Sequence, residues 1–307
     1  MQSSKLFKLL RNPHSLTIKV LRRILVFLPD ELYLRIFFRL LMHKKLNLRN
    51  PQTFNEKIQW LKLYDRNPDY TIMVDKYLVK KYVSNIIGEE HIIPTLGVWD
   101  KFDEIDFSSL PKQFVLKVTH DSGGLIICKD KDKLDVKAAK KKINKALRTN
   151  YYSTSKEWPY KNVKHRIIAE KYMVDESGYE LKDYKFFCFD GKVKALFVAT
   201  DRGSENEETK FDFFDEDFKH LPIRNGHPNS KREIVRPENY EMMKKIAEKL
   251  SKGRKHIRVD LYNINGKIYF GELTFAHFCG WVPFEPEEWD YIFGSWINLH
   301  PQCRIVK

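Results

Sequence analysis

The sequence is short of cysteine, of acidic charge and of long apolar runs. Four cysteines occur among 307 residues, Cys128, Cys188, Cys279 and Cys303, and no two form a Cys-x-x-Cys pair. That argues against a disulfide scaffold or a zinc ribbon and fits a reducing compartment. No apolar stretch reaches the roughly 18 residues that span a bilayer. Lys19, Arg22 and Arg23 interrupt the N-terminal apolar stretch, so no signal-peptide core is expected. The expected location is the cytoplasm. The ten histidines include no His-Glu-x-x-His pair. There is no Walker A spacing, no strand–Gly-x-Gly-x-x-Gly–helix unit, no internal repeat and no low-complexity tract. Acids number 41 against 55 Lys and Arg, a net charge of +14. An anionic partner follows: a nucleotide, an acidic glycan, nucleic acid or a membrane surface. No nucleic-acid module accompanies the charge, and nucleic acid is not expected. The length is ample for a buried core in one large or two to three small domains.

The positive charge is concentrated. Residues 1–50 hold eleven Lys and Arg against Asp30 and Glu31, nine of the fourteen net charges. Wound as a helix, Leu16–Leu28 places its apolar residues on an arc of roughly 200°, with Lys19, Arg22 and Arg23 opposite. Such a helix either lies on anionic lipid or packs on the body of the protein. Pro29 breaks the pattern, which resumes over Glu31–Lys45. Thr53-Phe-Asn-Glu56 is a capping box that opens a helix through Tyr64. Val74–Ile87 reads as one helix closed by Gly88, and Lys137–Arg148 as a Lys-rich helix. Strands are expected at Phe114–Val118, His165–Tyr172 and Tyr184–Phe189. The last turns at Asp190-Gly191 into Lys192–Thr200. A helix over Pro237–Leu250 precedes a second hairpin, Ile257–Asn263 and Lys267–Leu273, around Asn265-Gly266.

Lys117 stands in an apolar strand just before Thr119-His-Asp-Ser-Gly-Gly124. An ammonium beside glycines suits phosphate, because backbone N–H groups can approach its oxygens. An edge-strand lysine before an ordinary turn fits the same residues. Alternation puts Arg258 and Asp260 on one face of a strand, and Glu272 and Thr274 on one face of the next. Paired, the two acids would converge and need a cation between them. Magnesium with phosphate is one answer, and a solvated acid pair beside Arg258 is the other. Asp183 and Lys185 share a face in the same way. The end of Ile167–Met173 is an adenine slot or a plain core strand. Asp215-Glu-Asp217 has the form of a nucleotide-sugar clamp or of an ordinary turn. His120 and His277 lie in the loops next to these groups, as acid–base residues or as neither.

Taken in order, several segments resemble the ATP-grasp superfamily, and within it the teichuronopeptide-biosynthesis-like branch associated with bacterial surface polysaccharides. They are Phe54-Asn-Glu-Lys-Ile-Gln-Trp-Leu-Lys62, Ile93-Pro-Thr-Leu-Gly97, Phe114–Gly124, Ile167–Met173 and Asp183–Phe189. The resemblance runs from about Phe54 to Asn298. It implies an α+β ATP-grasp fold, two subdomains clasping ATP, behind a basic helical segment. The implied divisions are 1–50, a helical region over 51–112, a small subdomain over 113–166 and a large one over 167–300. It implies ATP and Mg²⁺ as cofactors. Lys117 would meet the phosphates, and His120, Ser122, Gly123 and Gly124 would close over them. Glu170, Lys171, Tyr172 and Met173 would line the adenine slot, and Glu180 or Asp183 would meet the ribose. Lys185 falls where relatives often carry arginine. Asp260 and Glu272 would hold magnesium, with Thr274 where the family usually has asparagine.

The implied activity is carboxylate–amine ligation through an acylphosphate, with Lys117, Lys185 and Arg258 supplying positive charge. The implied substrates are a carboxylate-bearing sugar or glycan and an amine, an amino acid or amino sugar, in capsule or teichuronic-type synthesis. Residues 1–45 would touch an anionic membrane at the inner face. A glycosyltransferase using Asp215 and Asp217 is the alternative. A nucleotide-binding scaffold without turnover is the third reading, with Thr274 as its support.

Overall fold

The computed structural model describes residues 13–121, 123–178, 180–202 and 207–299. Ser122, Cys303, Lys5, Lys8 and Arg11 lie outside them. The chain opens with helix α1 (Pro13–Ile24), a 3₁₀ turn over Leu25–Phe27, and α2 (Asp30–Met42). The expected Leu16–Leu28 helix therefore ends four residues early, and Pro29 breaks the pattern as expected. Helix α3 (Phe54–Tyr64) starts on its capping box: Thr53 Oγ1 accepts from Glu56 N at 3.2 Å, and Glu56 Oε2 accepts from Thr53 N at 3.2 Å.

Val74–Ile87 is not one helix. It divides into α4 (Asp69–Val74) and α5 (Leu78–Ile87). The cause is Asp75, whose Oδ1 accepts from Tyr77 N at 2.8 Å and Leu78 N at 3.1 Å, while Oδ2 pairs with Arg166 at 2.8 Å. An aspartate that satisfies the first N–H groups of a helix begins a new one. Gly88 closes α5 at φ +103°, a conformation glycine adopts readily.

A four-stranded sheet follows, built from β1 (Thr95–Trp99), β2 (Phe114–Val118), β3 (Leu125–Cys128) and, after helices α6 (Val136–Leu147) and α7 (Tyr151–Ser155), β4 (Ile167–Lys171). Its order is β1-β4-β2-β3. Lys117 is thus on an interior strand, and the edge-strand reading falls away. Helix α6 packs so closely on β2 that a Cβ on Gly124 would stand 2.6 Å from Ala146 Cβ and 2.6 Å from Val118 Cγ2.

The second sheet has six strands: β5 (Asp183–Phe189), β6 (Lys192–Thr200), β7 (Lys210–Asp215), β8 (His220–Leu221), and, after α8 (Tyr240–Ser251), β9 (His256–Ile264) and β10 (Lys267–Thr274). Its order is β10-β9-β5-β6-β7-β8, all antiparallel. Both expected hairpins form. Asp190-Gly191 and Asn265-Gly266 each carry two positive φ angles, which Asn, Asp and Gly adopt most readily.

Alternation divides the side chains of this sheet. Tyr184, Phe186 and Cys188 join α8 in one apolar cluster. Phe187 and Phe189 join Phe54 of α3 and Phe293 of α9 (Glu288–Ser295) in another. Phe54 makes edge contacts with Phe187 at 6.1 Å and Phe293 at 6.0 Å, pairs worth about 0.5–1.5 kcal/mol each beyond their burial. Asn55 N donates to Asp290 Oδ1 at 2.9 Å, and Lys57 Nζ donates to Gly294 O and Ile297 O, both at 2.8 Å. The helix expected in a separate 51–112 region is therefore part of the large sheet's core. Asp183 and Lys185 continue the face of Phe187, and there the face turns from apolar to charged.

Candidate active site

Charged groups of the two sheets meet at a cavity of about 50 Å³. The small sheet contributes Lys117 and Glu170. The large sheet contributes Tyr262, Phe270, Gly271 and Glu272, and the helical region adds Lys76, Lys80, Ile92 and Ile93. Glu170 is clamped by two lysines: Lys117 Nζ at 2.5 Å from Oε2 and Lys80 Nζ at 2.5 Å from Oε1. Burial pushes the Glu170 carboxyl up, but Lys117 and Lys80 outweigh it and hold it below its ordinary value. Lys76 Nζ donates to Asp121 O at 2.8 Å, tying the Gly-containing loop to the α4–α5 junction. Burial lowers the proton affinity of both Lys76 and Lys80, against the pull of Glu272 on the first and Glu170 on the second.

Lys76 and Lys80 were not singled out in the sequence. Their only signal is a four-residue spacing on a helical stretch, the ordinary mark of a solvated face. Tertiary packing is what brings them to the cavity.

On the large sheet, Glu272 pairs with Asp260 across β9 and β10, as alternation predicted. A bulge at Gly271 sets this register, and a Cβ there would stand 3.0 Å from Asp260 O. The charge between the two acids is balanced by protein cations. Arg258 Nε donates to Asp260 Oδ1 at 2.7 Å, and its NH2 group reaches Asp260 Oδ2 at 2.8 Å, Glu272 Oε1 at 3.0 Å and Thr274 Oγ1 at 3.0 Å. Lys185 Nζ bonds Asp260 Oδ2 and lies 2.7 Å from Asp183 Oδ2, which also pairs with Arg202. Burial raises the Asp260 carboxyl, and Arg258 and Lys185 offset this only in part. Burial also pushes Glu272 up, but Lys185, Arg258 and Lys76 hold it well below the carboxylate range.

His277 orients Arg258. Its Nδ1 lies 2.7 Å from Arg258 NH1 and its Nε2 lies 2.9 Å from Asn225 Oδ1. A guanidinium only donates, so Nδ1 accepts and Nε2 carries the hydrogen given to Asn225. Burial and the neighbouring Arg258 push the His277 pKa well below 6.5, so the ring is neutral. It is a positioning residue rather than an acid–base group. Asn225 and Arg202 had no signal in the sequence.

Several expected site residues sit elsewhere. His120 is buried, stacks on His165 with centroids 3.5 Å apart, and has Nε2 3.0 Å from Thr149 O. It pins the loop and does not line the cavity. Gly123 N donates to Asp121 Oδ1 at 2.8 Å, and Gly124 serves the packing of α6. Lys171 is exposed and its N–H donates to Pro94 O at 3.0 Å, so the ladder uses that backbone. Tyr172 and Met173 lie just past the strand, half-buried. Glu180 accepts from Asp201 N at 3.0 Å and lines a second cavity of about 740 Å³ with Tyr184 and Thr200. Asp215 Oδ1 accepts from Asp217 N at 2.9 Å and Lys219 N at 2.8 Å, closing the turn into β8. Two strands, β5 and β6, separate it from β9. The nucleotide-sugar clamp is thus a turn, and the glycosyltransferase alternative loses its basis.

Among the described residues, no group of three or more His, Cys, Asp or Glu is placed to hold a metal ion. Magnesium is commonly held by one or two carboxylates, with water and phosphate oxygens completing its shell. The donors present fit that mode through Glu272, whose side chain is 44% exposed. Both oxygens of Asp260 are taken by Arg258 and one also by Lys185, so Asp260 does not fit that mode as it stands, and Thr274 Oγ1 already bonds Glu272 Oε1 at 3.1 Å.

A family model described as TupA-like ATPgrasp matches residues 56–298, and the chain belongs to that family. Its fold is accordingly the α+β ATP-grasp fold. The solved structures it resembles include the D-alanine–D-alanine ligase of Bacillus anthracis complexed with ATP, at 18% identity and TM-score 0.40, over 66% of this chain and 53% of that one. This chain thus spans about half the length of that ligase. The ATP-grasp ligase PsnB complexed with minimal precursor, Mg and ADP aligns at 10% identity and TM-score 0.39, over 72% and 57%. The D-alanine–D-alanine ligase of Helicobacter pylori aligns at 14% identity and TM-score 0.38, over 80% and 69%. No curated protein matches. Among the described residues, no helix is long and apolar enough to cross a membrane.

Proposed function

We propose that this chain is an ATP-dependent ligase that joins a carboxylate to an amine through an acylphosphate, releasing ADP and phosphate. One observation carries the reading. In an ATP-grasp chain, Lys76, Lys80 and Lys117 face Glu272 across a cavity between the two sheets. Three ammonium groups suit a triphosphate tail, and the apolar walls Ile92, Ile93 and Phe270 suit a base. In this reading Lys117 and Lys80 exchange Glu170 for phosphate. The family resemblance would add Tyr172 and Met173 around the base and Glu180 or Asp183 at the ribose, residues outside the lining of this cavity.

Glu272 would hold magnesium, which supplies charge neutralisation on phosphate oxygens; Asp260 would join it only if both Lys185 and Arg258 turned to phosphate. Lys185 and Arg258 stabilise the negative charge that grows as the phosphoryl group moves, and His277 with Asn225 keeps Arg258 aligned. The protein's work is positioning and neutralisation. The family resemblance supports a sugar or glycan carboxylate and an amino-acid or amino-sugar amine, in bacterial surface-polysaccharide synthesis in the cytoplasm.

The test is thermal shift with ATP, ADP and nucleotide-sugars, with and without Mg²⁺, on wild type, Lys117→Ala and Glu272→Ala. ATP at a hundred times its Kd stabilises by about 2.7 kcal/mol. The expected result is a Mg²⁺-dependent ATP shift that Lys117→Ala abolishes and that loses its metal dependence in Glu272→Ala. Carboxylate–amine pairs are then screened for ADP release. A shift with a nucleotide-sugar alone overturns the reading.

A further inference from the structure

Helix α1 and the turn after it carry two apolar stripes. Ile18, Leu21, Leu25 and Leu28 pack on the cluster of Tyr33, Leu34, Phe37 and Phe38. Val20, Ile24 and Phe27 do not: they are 48%, 62% and 91% exposed. Their spacing, i, i+4 and i+7, is one side of a helix. Packing on the body thus accounts for only half of the apolar arc. Arg22 lies over the Trp281 ring at 4.8 Å, on the packed side. Arg23, beside the outer stripe, is exposed.

Among the described residues of the N-terminal segment, the unpaired charge is of one sign. The two acids among the first fifty residues are already paired, Glu31 with Arg35 at 2.8 Å and Asp30 with Lys156 at 3.2 Å. Arg23, Arg39, Lys45 and Arg49 are exposed and have no ion pair among the described residues. Uncompensated positive charge repels a second copy of the same face and attracts an anionic surface.

We propose that Val20, Ile24 and Phe27 enter the interfacial layer of a bilayer rich in anionic lipid, with Arg23 on the lipid phosphates. An apolar helix face flanked by cations lies in the plane of such an interface, buried to the acyl boundary. Each basic residue held near an anionic surface strengthens binding by a factor of about five, and salt screens the effect. The inference rests on the helix and not on the ligase reading.

The experiment is co-sedimentation of the full chain with sucrose-loaded vesicles. One set is phosphatidylcholine and the other contains about 30% phosphatidylglycerol, at about 0.1 M and about 0.5 M salt. Wild type, Val20→Ser/Ile24→Ser/Phe27→Ser and Arg23→Glu are compared, with light scattering for mass. The expected result is binding to the anionic vesicles only, weakened by salt, at least tenfold weaker in the triple variant and several-fold weaker in Arg23→Glu. Melting temperature and any ATP shift should stay at wild-type values, since the three side chains face outward. Wild type that ignores anionic vesicles, or a triple variant that binds as well as wild type, overturns the proposal. So does a wild-type dimer that the triple variant turns into a monomer without any vesicle binding, which would assign the stripe to a second copy.

Discussion

Removing the Arg258 guanidinium strands a carboxylate. Arg258 is 7% exposed and Asp260 is fully buried. Two of the guanidinium nitrogens bond the two oxygens of Asp260, at 2.7 and 2.8 Å. In Arg258→Met only Lys185 remains as a direct partner of that carboxylate. Deleting one partner of a buried ion pair costs about 3–5 kcal/mol, because the other charge stays in a poor solvent. At about 2 °C per kcal/mol for a chain of this size, the melting temperature should fall by roughly 6–10 °C. Asp260→Asn should cost less, since Arg258 keeps Glu272, Thr274 and His277. The double variant Arg258→Met/Asp260→Asn has no stranded charge at that position and should recover about half of the single Arg258 loss. Scanning calorimetry on the four proteins at neutral pH gives the cycle. If the double loss equals the sum of the single losses, Arg258 does not neutralise Asp260 in the folded chain and the reasoning fails.

Two further outcomes follow from the same contacts. The Glu170 carboxyl sits below its ordinary value when folded, so the unfolded chain takes up that proton first as pH falls. Its stabilisation is present above the ordinary Glu range and lost through it, so Glu170→Gln should flatten the drop in melting temperature between about pH 5 and about pH 3. Identical slopes in both proteins would refute the lysine clamp. Gly124→Ala places a methyl 2.6 Å from Ala146 Cβ, forcing α6 off β2 at about 1–3 kcal/mol. A melting temperature within a degree of wild type would show that the two elements are not packed this tightly.

What was legible in the sequence was legible because it is local. Asn265-Gly266 and Asp190-Gly191 announce hairpins because two successive positive φ angles admit few other residues. Thr53 and Glu56 announce a helix start because the two side chains answer each other's backbone. Alternation placed Asp260, Glu272, Lys185 and Arg258 on shared faces, and the structure brings them together. What failed was set at a distance. Apolar periodicity runs through Val74–Ile87, and only the Asp75 side chain, fixed by Arg166, interrupts it. Lys80 looks like a solvated helix residue until β4 brings Glu170 beside it, and Lys76 until the loop after β2 offers it Asp121 O. His120 looks like a phosphate-loop residue until His165 stacks on it from 45 positions away.

The union of α3 with α9 also bears on how the chain is made. Asn55 and Asp290 meet across 235 positions of sequence. The small sheet is complete once β4 (Ile167–Lys171) has been made, and it can close while synthesis continues. The Phe54 face of α3 has to wait for Phe293, 239 positions further along the sequence. Until that stretch has been made, the chain carries a partly uncovered aromatic helix face, the kind of surface that recruits chaperones or aggregates. Long-range closure of this sort also slows folding. Expression at low temperature or with abundant chaperone should raise the soluble yield more than any change at the active site.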